Sequence, residues 1–347
     1  MRNQRTSSLL IGRCLRGFLL VVTVALSGNA AGEIRVAGRP ARAALPASAA
    51  CEHCGKDGGS CSCHPHWHVA ADFVWMGRSR ADQQTIIRAP LGGGAPTESV
   101  NVYDLLFEVN GGVRGNVAYD GDNGYGWEVG YLGVFNQPAM SEVSDTDMFF
   151  DFFGRQPAVA TNAYTVNYES SLHSTEVNWR LCERWRVRPL IGVRWIRHAE
   201  NFSILDTADV SEDAFADMSN DLFGGQAGLT TVLWDRGGWF RVEGGVKAGL
   251  YHDRMRLRAR VLDQLGVQQA GFSQAASSTA FSGEIVLSAV WQFSANASFR
   301  VGYQGLWLTN IGLAPDQSDN FTLAGVGSVE TNDISYQGGH LGLEVRW

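Results

Sequence analysis

The last eight residues of the chain, HLGLEVRW at positions 340–347, show the pattern on which the fold prediction depends. Leu341, Leu343, Val345 and Trp347 occupy alternate positions, and polar residues or glycine fill the positions between them. Because successive side chains of a β-strand point to opposite faces, one face of this segment is wholly apolar and the other is polar. The segment therefore predicts a strand that separates an apolar environment from a polar one.

The same period-two pattern recurs along most of the chain. In one segment, for example, Val193 and Trp195 flank Arg194 and face the side opposite to it. The composition agrees with this pattern, because 41 glycines, 11% aromatic residues and only 18% charged residues suit a β-rich protein. Ten such segments are visible, at about residues 66–78, 104–119, 124–136, 171–182, 184–199, 221–234, 238–254, 279–293, 297–309 and 336–347.

The connections between these segments alternate in length. Those after the second, fourth, sixth and eighth segments contain only a few residues, and they are rich in turn-forming residue types such as Gly, Asp and Asn. The other connections contain about 20 residues or more. Transmembrane β-barrels have this connectivity, with short periplasmic turns, longer outer loops and an even number of strands. A soluble β-sandwich predicts no such strict alternation.

Alternation alone does not distinguish a soluble barrel, whose apolar face points inward, from a membrane barrel, whose apolar face points to lipid. The aromatic residues favour the membrane barrel, because they gather near segment ends, where the membrane interfaces would lie. They are Trp67, Trp75, Tyr119, Tyr125, Phe135, Trp185, Trp195, Trp234, Trp291, Phe293, Trp307 and Trp347. We therefore predict an all-β fold: a closed antiparallel transmembrane β-barrel of about ten strands, with twelve possible, short periplasmic turns and long outer loops.

The first 30 residues have the features of a secretory signal peptide. Four arginines precede an apolar run at 17–26, which is followed by small residues at 28–30. A membrane anchor is the alternative, but the apolar run is too short to cross a bilayer as a helix. Cleavage near residue 30 changes the formal net charge from −7 to −11, and such an acidic chain argues against nucleic acid as a partner.

A Cys/His-rich segment follows, and we predict a flexible periplasmic lead-in at 31–65 before the barrel at 66–347. Its cysteines are Cys51, Cys54, Cys61 and Cys63, and histidines lie among and just after them. Closely spaced thiols can share a metal ion. The alternative is two local disulfides, because an exported chain meets an oxidising compartment. Both assignments remain open at this point, and no cofactor is expected.

In a membrane barrel the polar face of each segment lines the lumen. A row of arginines on one face of segment 184–199 could favour anions in a pore. The alternative is that the arginines pair with acidic side chains of other strands, because buried charges need partners. The predicted lumen-facing charges are Arg184, Arg186, Arg188, Arg194, Glu128, Glu176, Arg180, Arg241, Glu243, Lys247, Glu284, Arg300 and Glu344.

The terminal segment resembles the C-terminal assembly signal of bacterial outer-membrane barrels, with His340, Gly342, Val345 and Trp347 at the matching positions. The chain as a whole resembles a family of bacterial outer-membrane β-barrel porins, type 7 of its naming series. The resemblance lies in the signal peptide, the Cys-rich lead-in, the first strand WHVAADFVW at 67–75, the glycine-aromatic strands and the terminal strand. It implies a bacterial outer-membrane barrel with a transport role, and it supplies no established catalytic residues to carry over.

Strand number limits the function that these features imply. Ten strands lie close to the number at which side chains fill the interior, whereas 16 to 18 strands leave an aqueous channel. We therefore expect porin-like passage of small solutes through a narrow or partly plugged lumen. The alternative is a non-conducting surface barrel that acts in adhesion or envelope structure through its long loops. The expected partners are outer-membrane lipid, the barrel-assembly machinery and small solutes.

A lipid-modifying enzyme is the weakest candidate. Membrane barrels that hydrolyse lipids use a Ser–His arrangement with an orienting polar group. Here the histidines of the barrel region, such as His173, His198, His252 and His340, are scattered, and the sequence contains no Gly-x-Ser-x-Gly motif. We therefore expect no enzyme activity.

Overall fold

The computed structural model describes residues 66–80, 85–89, 97–121, 124–150, 161–181, 187–208, 212–236, 239–317 and 327–347. The predicted signal peptide and the lead-in with its four cysteines lie outside the described residues. The strands are β1 His66–Arg78, β2 Thr85–Ala89, β3 Thr97–Asn101, β4 Asn110–Asp120, β5 Gly126–Phe150, β6 Thr161–Arg180, β7 Val187–Asp206, β8 Asp213–Asp235, β9 Phe240–Leu262, β10 Gln268–Gln292, β11 Ala297–Gly312 and β12 Thr331–Arg346. Short 3₁₀ turns occur at Val102–Asp104 and Pro315–Gln317. Among the described residues, none belongs to a helix that could cross a membrane.

Ten of these strands close into a ring of antiparallel neighbours. The order is β5–β4–β1–β12–β11–β10–β9–β8–β7–β6, and β6 pairs with β5 to complete the ring. The first and last strands form the seam, where Trp67 and Trp347 exchange two backbone hydrogen bonds of 2.9 and 3.1 Å between nitrogen and oxygen. The prediction of a closed antiparallel barrel of ten strands is confirmed.

The two remaining strands, β2 and β3, form a hairpin between β1 and β4. β2 also pairs with the far end of β5, where Ile87 lies opposite Phe150. Ile86 and Ile87 are fully buried and pack in one cluster with inward side chains of the barrel strands. β4 begins only at Asn110, later than the predicted start near 104, because Leu105 joins this interior cluster instead of a lipid-facing strand.

The strands extend further at the outer end than the sequence pattern predicts. β8 and β9 each contain 23 residues, and β10 contains 25. The connections β7–β8 and β9–β10 therefore comprise only residues 207–212 and 263–267. Much of the length that we expected in outer loops of about 20 residues is paired strand. The short turns lie at the opposite end of the barrel, which we call the short-turn end.

An apolar band surrounds the outside of the barrel near the short-turn end. Its exposed aliphatic side chains include Val113, Val129, Val177, Ile191, Val193, Leu229, Leu250, Leu287, Val301, Leu341 and Leu343. Exposed aromatic side chains border it on both edges: Trp67, Trp179, Trp234, Trp291 and Trp347 on one, and Trp75, Phe135, Trp195, Phe223 and Phe281 on the other. Trp185 lies outside the described residues. An apolar band between two aromatic girdles is the surface of a transmembrane barrel.

Beyond the band the chemistry of the two faces is reversed. Outward-facing positions become polar, and inward-facing positions become apolar, as on β8, where Ala216 and Met218 are buried and Asp217 is exposed. We call the strand segments 137–150, 161–172, 198–206, 213–222, 252–262 and 268–280, together with the β2–β3 hairpin, the outer extension. Among the described residues, its interior contains a large apolar cluster, with a few buried polar side chains such as Glu200 and Asn220.

Candidate functional site in the barrel lumen

The lumen inside the apolar band contains a polar cavity of about 340 Å³. It extends to the short-turn end, because residues at the strand ends there, such as Asp120 and Arg180, line its wall. The predicted lumen charges that line it are Arg180, Arg188, Arg194, Glu128, Glu176, Glu243, Lys247, Glu284, Arg300 and Glu344. Arg241 lies beside the cavity and donates to Glu243. Arg184 and Arg186 lie outside the described residues.

One part of the cavity wall is a network around Glu176 and Lys247. The Lys247 ammonium pairs with the Glu176 carboxylate and lies 3.5 Å from Glu128 Oε1. Gln226 donates to Glu176 Oε2 at 2.8 Å and to Asn178 Oδ1 at 2.7 Å, and Asn178 in turn donates to Glu128. Five side chains from four strands therefore orient one another, with the Lys247 ammonium placed between two carboxylates.

A second network crosses the lumen from β7 to β1. Arg194 donates to Ser174 Oγ at 2.7 Å and to Glu284 Oε2 at 2.6 Å. Gln304 donates to the other oxygen of Glu284 at 3.2 Å and accepts from Arg114 at 3.0 Å. Arg114 then donates to Asp72 through Nε at 2.8 Å.

The charges nearest the short-turn end are also paired. Asp120 lies 2.7 Å from Arg188, 3.3 Å from Arg180 and 3.2 Å from His68. The Glu344 carboxylate similarly forms ion pairs with Arg241, Arg300 and Arg346. Acidic side chains at this end of the cavity are therefore each paired with basic ones. Of the predicted arginine row, the two members that the structure describes, Arg188 and Arg194, are therefore paired with acidic side chains rather than left uncompensated.

The four residues of the assembly-signal resemblance lie on both faces of β12. Val345 and Trp347 point outward at the edge of the band, whereas His340 is fully buried and bonds through Nε2 to Ser288 Oγ at 2.9 Å. Gly342 lies against β1, and a Cβ there would lie 2.2 Å from both Ala71 O and Asp72 Oδ1. Only glycine therefore leaves room for the Asp72 side chain. A role of these residues in assembly stays a prediction.

The chain after β11 crosses the lumen on the outer side of the polar cavity. We call residues 312–317 the inward segment. Asn220 of β8 donates to Gly312 O at 2.8 Å and accepts from Gly312 N at 2.9 Å, and Glu200 of β7 accepts from Ala314 N at 2.7 Å. β8 and β7 are separated from β11 by other strands of the ring, so these bonds span the interior. Leu313 and Ala314 are buried in the apolar layers above the cavity.

A buried ionic group lies at the same level of the barrel as the inward segment. The side chains of Arg78 and Glu200 are both fully buried and form an ion pair. Arg78 also donates to Tyr168 Oη at 2.9 Å and stacks over the rings of Tyr168 and Phe107. The group lies beyond the band, because the outward neighbours of Glu200 on β7, such as Asn201, are exposed and polar.

His198 in this group superficially resembles a catalytic base. Its Nε2 lies 3.2 Å from Ser170 Oγ and 3.6 Å from Glu200 Oε1. Both partners therefore face the same ring nitrogen, whereas a catalytic triad uses the two nitrogens for different partners. Burial, and then the charge of Arg78, lower the pKa of His198 well below its usual value. The imidazole is fully buried, and this environment favours its neutral form.

Sequence reasoning did not include several of these residues among the site residues. Asp72 and Arg114 lie on the polar faces of their predicted strands, so the period-two pattern contained the signal for them. Arg78 also lies on the polar face of its predicted strand, but its pairing with Glu200 carries no such signal, because the two strands are far apart in sequence. Within the described parts of the chain, no three His, Cys, Asp or Glu side chains are grouped as metal ligands.

The closed ring, the apolar band with its aromatic borders and the ionic lumen together define a transmembrane β-barrel of the outer-membrane class. No protein-family model and no curated protein matches the chain. Among solved structures, it is similar to the outer membrane protease OmpT from Escherichia coli, at 9% identity and a TM-score of 0.47, covering 82% of this chain and 96% of that one. It is also similar to the toluene transporter TodX from Pseudomonas putida, at 8% identity and a TM-score of 0.27, covering 81% and 89%.

A FadL homologue from Pseudomonas aeruginosa is similar at 5% identity, with a TM-score of 0.24 and coverage of 82% of this chain and 90% of that one. These identities and TM-scores are low, and the barrels concerned include a protease and transporters. The class of the protein therefore rests on its own strand ring and surface.

Proposed function

We propose that this protein is an outer-membrane barrel that is closed at rest and displays its outer extension at the cell surface, in an envelope-structural or adhesive role. The inward segment carries this proposal. It crosses the lumen between the polar cavity and the outside, and side chains of β7 and β8 hold its backbone through three hydrogen bonds. A solute entering from the short-turn end would meet this segment.

The apolar layers on either side of the segment support the same function. The interior layer next to the cavity, on the side of the outer extension, contains Val74, Leu172 and Ile196, and each of them is fully buried. Tyr164 and Phe202 belong to the core of the outer extension. Protein interiors of this kind are close-packed, so a hydrated ion would have to displace many side chains at once. The described residues thus favour a stable closed state over a static pore.

Passage of small solutes is the second candidate, and the polar cavity favours it. The cavity is lined with charges of both signs and extends to the short-turn end, as an entry chamber would be. Passage would require the inward segment to leave the lumen. Membership of the type 7 porin series, and the expectation that the protein is not an enzyme, stay predictions beside both candidates.

Planar-bilayer recording of the purified protein separates the two functions. The unaltered protein, as a closed barrel, should give no conductance steps. A variant in which a glycine-serine segment of equal length replaces residues 313–317 should give conductance steps. The matched control places the same glycine-serine segment at 263–267, an exposed connection far from the lumen, and should stay silent. Conductance steps from the unaltered protein would overturn the closed-barrel proposal and favour passage. Heat-modifiable gel mobility establishes that each variant is folded.

A further inference from the structure

Strand β9 carries a row of four arginines on its outward face, just beyond the apolar band. Arg254, Arg256, Arg258 and Arg260 are all exposed, and they alternate with buried apolar residues in the sequence RMRLRARV at 254–261. Alternate residues of a strand are about 7 Å apart, so the row extends about 20 Å away from the band. Leu250 of the band lies on the same face two outward positions before Arg254.

Three of these arginines are free to bind a ligand. Arg260 stacks over the Phe215 ring, 4.8 Å from its centroid. Asp217 and Asp221 of β8 lie opposite Arg258 and Arg254 in the strand register. Within the described part of the chain, however, neither aspartate forms an ion pair with an arginine of the row, and Arg256 lies opposite Ser219.

The other side of the row is a flat strip of small residues. On β10, Ser273, Ala275 and Ser277 lie opposite Arg258, Arg256 and Arg254, and Gly271 lies opposite Arg260. These small side chains leave the guanidinium groups accessible from that side. A ligand could therefore lie along β10 and be contacted by several arginines in succession.

The position of the arginine row relative to the apolar band indicates which kind of ligand it would bind. The band marks the acyl chains of the membrane, so the first arginines lie at the level of the lipid head groups and the later ones lie above them. A guanidinium binds a phosphate group well, because two phosphate oxygens can accept its two parallel N–H donors. A free basic row at this level attracts phosphorylated head groups rather than acyl chains.

The geometry points to a binding surface for the phosphate groups of an outer-leaflet glycolipid, formed by Arg254, Arg256 and Arg258. The lipid packs its acyl chains on the apolar band near Leu250 and places its phosphorylated head group along the strip on β10. This surface is on the outside of the barrel, so it is independent of whether the lumen conducts.

The test uses the full barrel purified in detergent, with purified lipopolysaccharide as the probe and native mass spectrometry as the readout. The triple variant R254Q/R256Q/R258Q should bind lipopolysaccharide at least tenfold more weakly than the unaltered protein. Enzymatically dephosphorylated lipopolysaccharide should bind the unaltered protein as weakly as intact lipopolysaccharide binds the triple variant. The variant D217N should bind more tightly, because it removes the negative charge opposite Arg258.

The matched control, R80Q/R88Q/R236Q, removes the same charge from other sites. Arg80 and Arg236 stack over Tyr103 and Trp234 rather than facing the strip. This control should bind lipopolysaccharide as the unaltered protein does. The proposal is overturned if the R254Q/R256Q/R258Q variant keeps full affinity while remaining folded by gel mobility. It is equally overturned if the control loses as much affinity, or if dephosphorylation makes no difference.

Discussion

The two halves of strand β9 place their apolar side chains on opposite faces, although they form one continuous strand. In the half inside the band, Val246 and Leu250 face outward and Lys247 faces the lumen. In the outer half, Leu257 is fully buried and faces inward, while Arg256 is exposed and faces outward. The strand register is continuous across this change, because β9 pairs with β8 without a register shift from Asp213 to Val232. The solvent around each half, and not the backbone, decides which face is apolar.

This contrast explains why the two interiors differ. Inside the band the outward face takes most of the apolar side chains, so the lumen is left with charged and amide groups that must satisfy one another. In the outer extension water surrounds the barrel, so apolar side chains gain by turning inward to form an ordinary core. The ionic cavity and the closed outer core are thus two consequences of one change in solvent.

The largest expected effect comes from the buried ion pair where the two interiors meet. Glu200→Gln leaves the buried charge of Arg78 without its carboxylate, which should cost about 3–5 kcal/mol in the free energy of unfolding. The measurement is urea unfolding in lipid vesicles, followed by gel mobility. Glu169→Gln, an exposed change on the neighbouring strand, should have little effect. A cost below about 1 kcal/mol for Glu200→Gln would show that this pair does not lie in a dry interior.

The next effect tests the boundary of the apolar band on a single strand. Val193→Arg places a charge on the lipid-facing side and should destabilise the barrel by about 2–4 kcal/mol. Ser203→Arg makes a similar change on the same face of β7, ten residues further out, and should change stability by less than about 0.5 kcal/mol. Equal costs for the two variants, measured by the same unfolding assay, would contradict the position of the band.

A smaller effect is expected in the polar cavity. Arg194→Gln removes the hydrogen bonds to Glu284 and Ser174 and should cost about 1–3 kcal/mol, because polar neighbours remain to satisfy the carboxylate. Arg300→Gln should cost less, since Arg300 lies 3.8 Å from Glu344 and other arginines also contact that carboxylate. Comparing the unfolding midpoints of the two variants checks this order. The reverse order would mean that the lumen is organised around Glu344.

The smallest effect on stability is expected on the outside of the outer extension. Arg256→Gln should change the unfolding free energy by less than about 0.5 kcal/mol, because the side chain is exposed and its neighbours are small. The same unfolding series measures it, with Leu257→Ala as the inward-facing comparison on the adjacent residue. Leu257→Ala should cost about 2–5 kcal/mol through loss of buried volume. Similar values for both would contradict the reversal of faces in the outer extension.

The alternation of residue types was enough to predict much of this structure. It predicted the strand that begins at His66 and the ring of ten strands, and it identified Arg194 and Glu176 as belonging to one polar face. It did not predict the outer extension, because segment ends were placed where the apolar-outward pattern stopped. In RMRLRARV at 254–261 the alternation continues with its faces exchanged, so the strand continues too.

The sequence by itself determined the period of two, and with it which side chains share a face of each strand, because that follows from backbone geometry alone. Only the tertiary structure decided what each face meets, since lipid, water and the interior are defined when the ring closes. The inward segment and the Arg78–Glu200 pair belong to this second kind of information. They depend on contacts between strands that are distant in sequence, and no local pattern specifies such contacts.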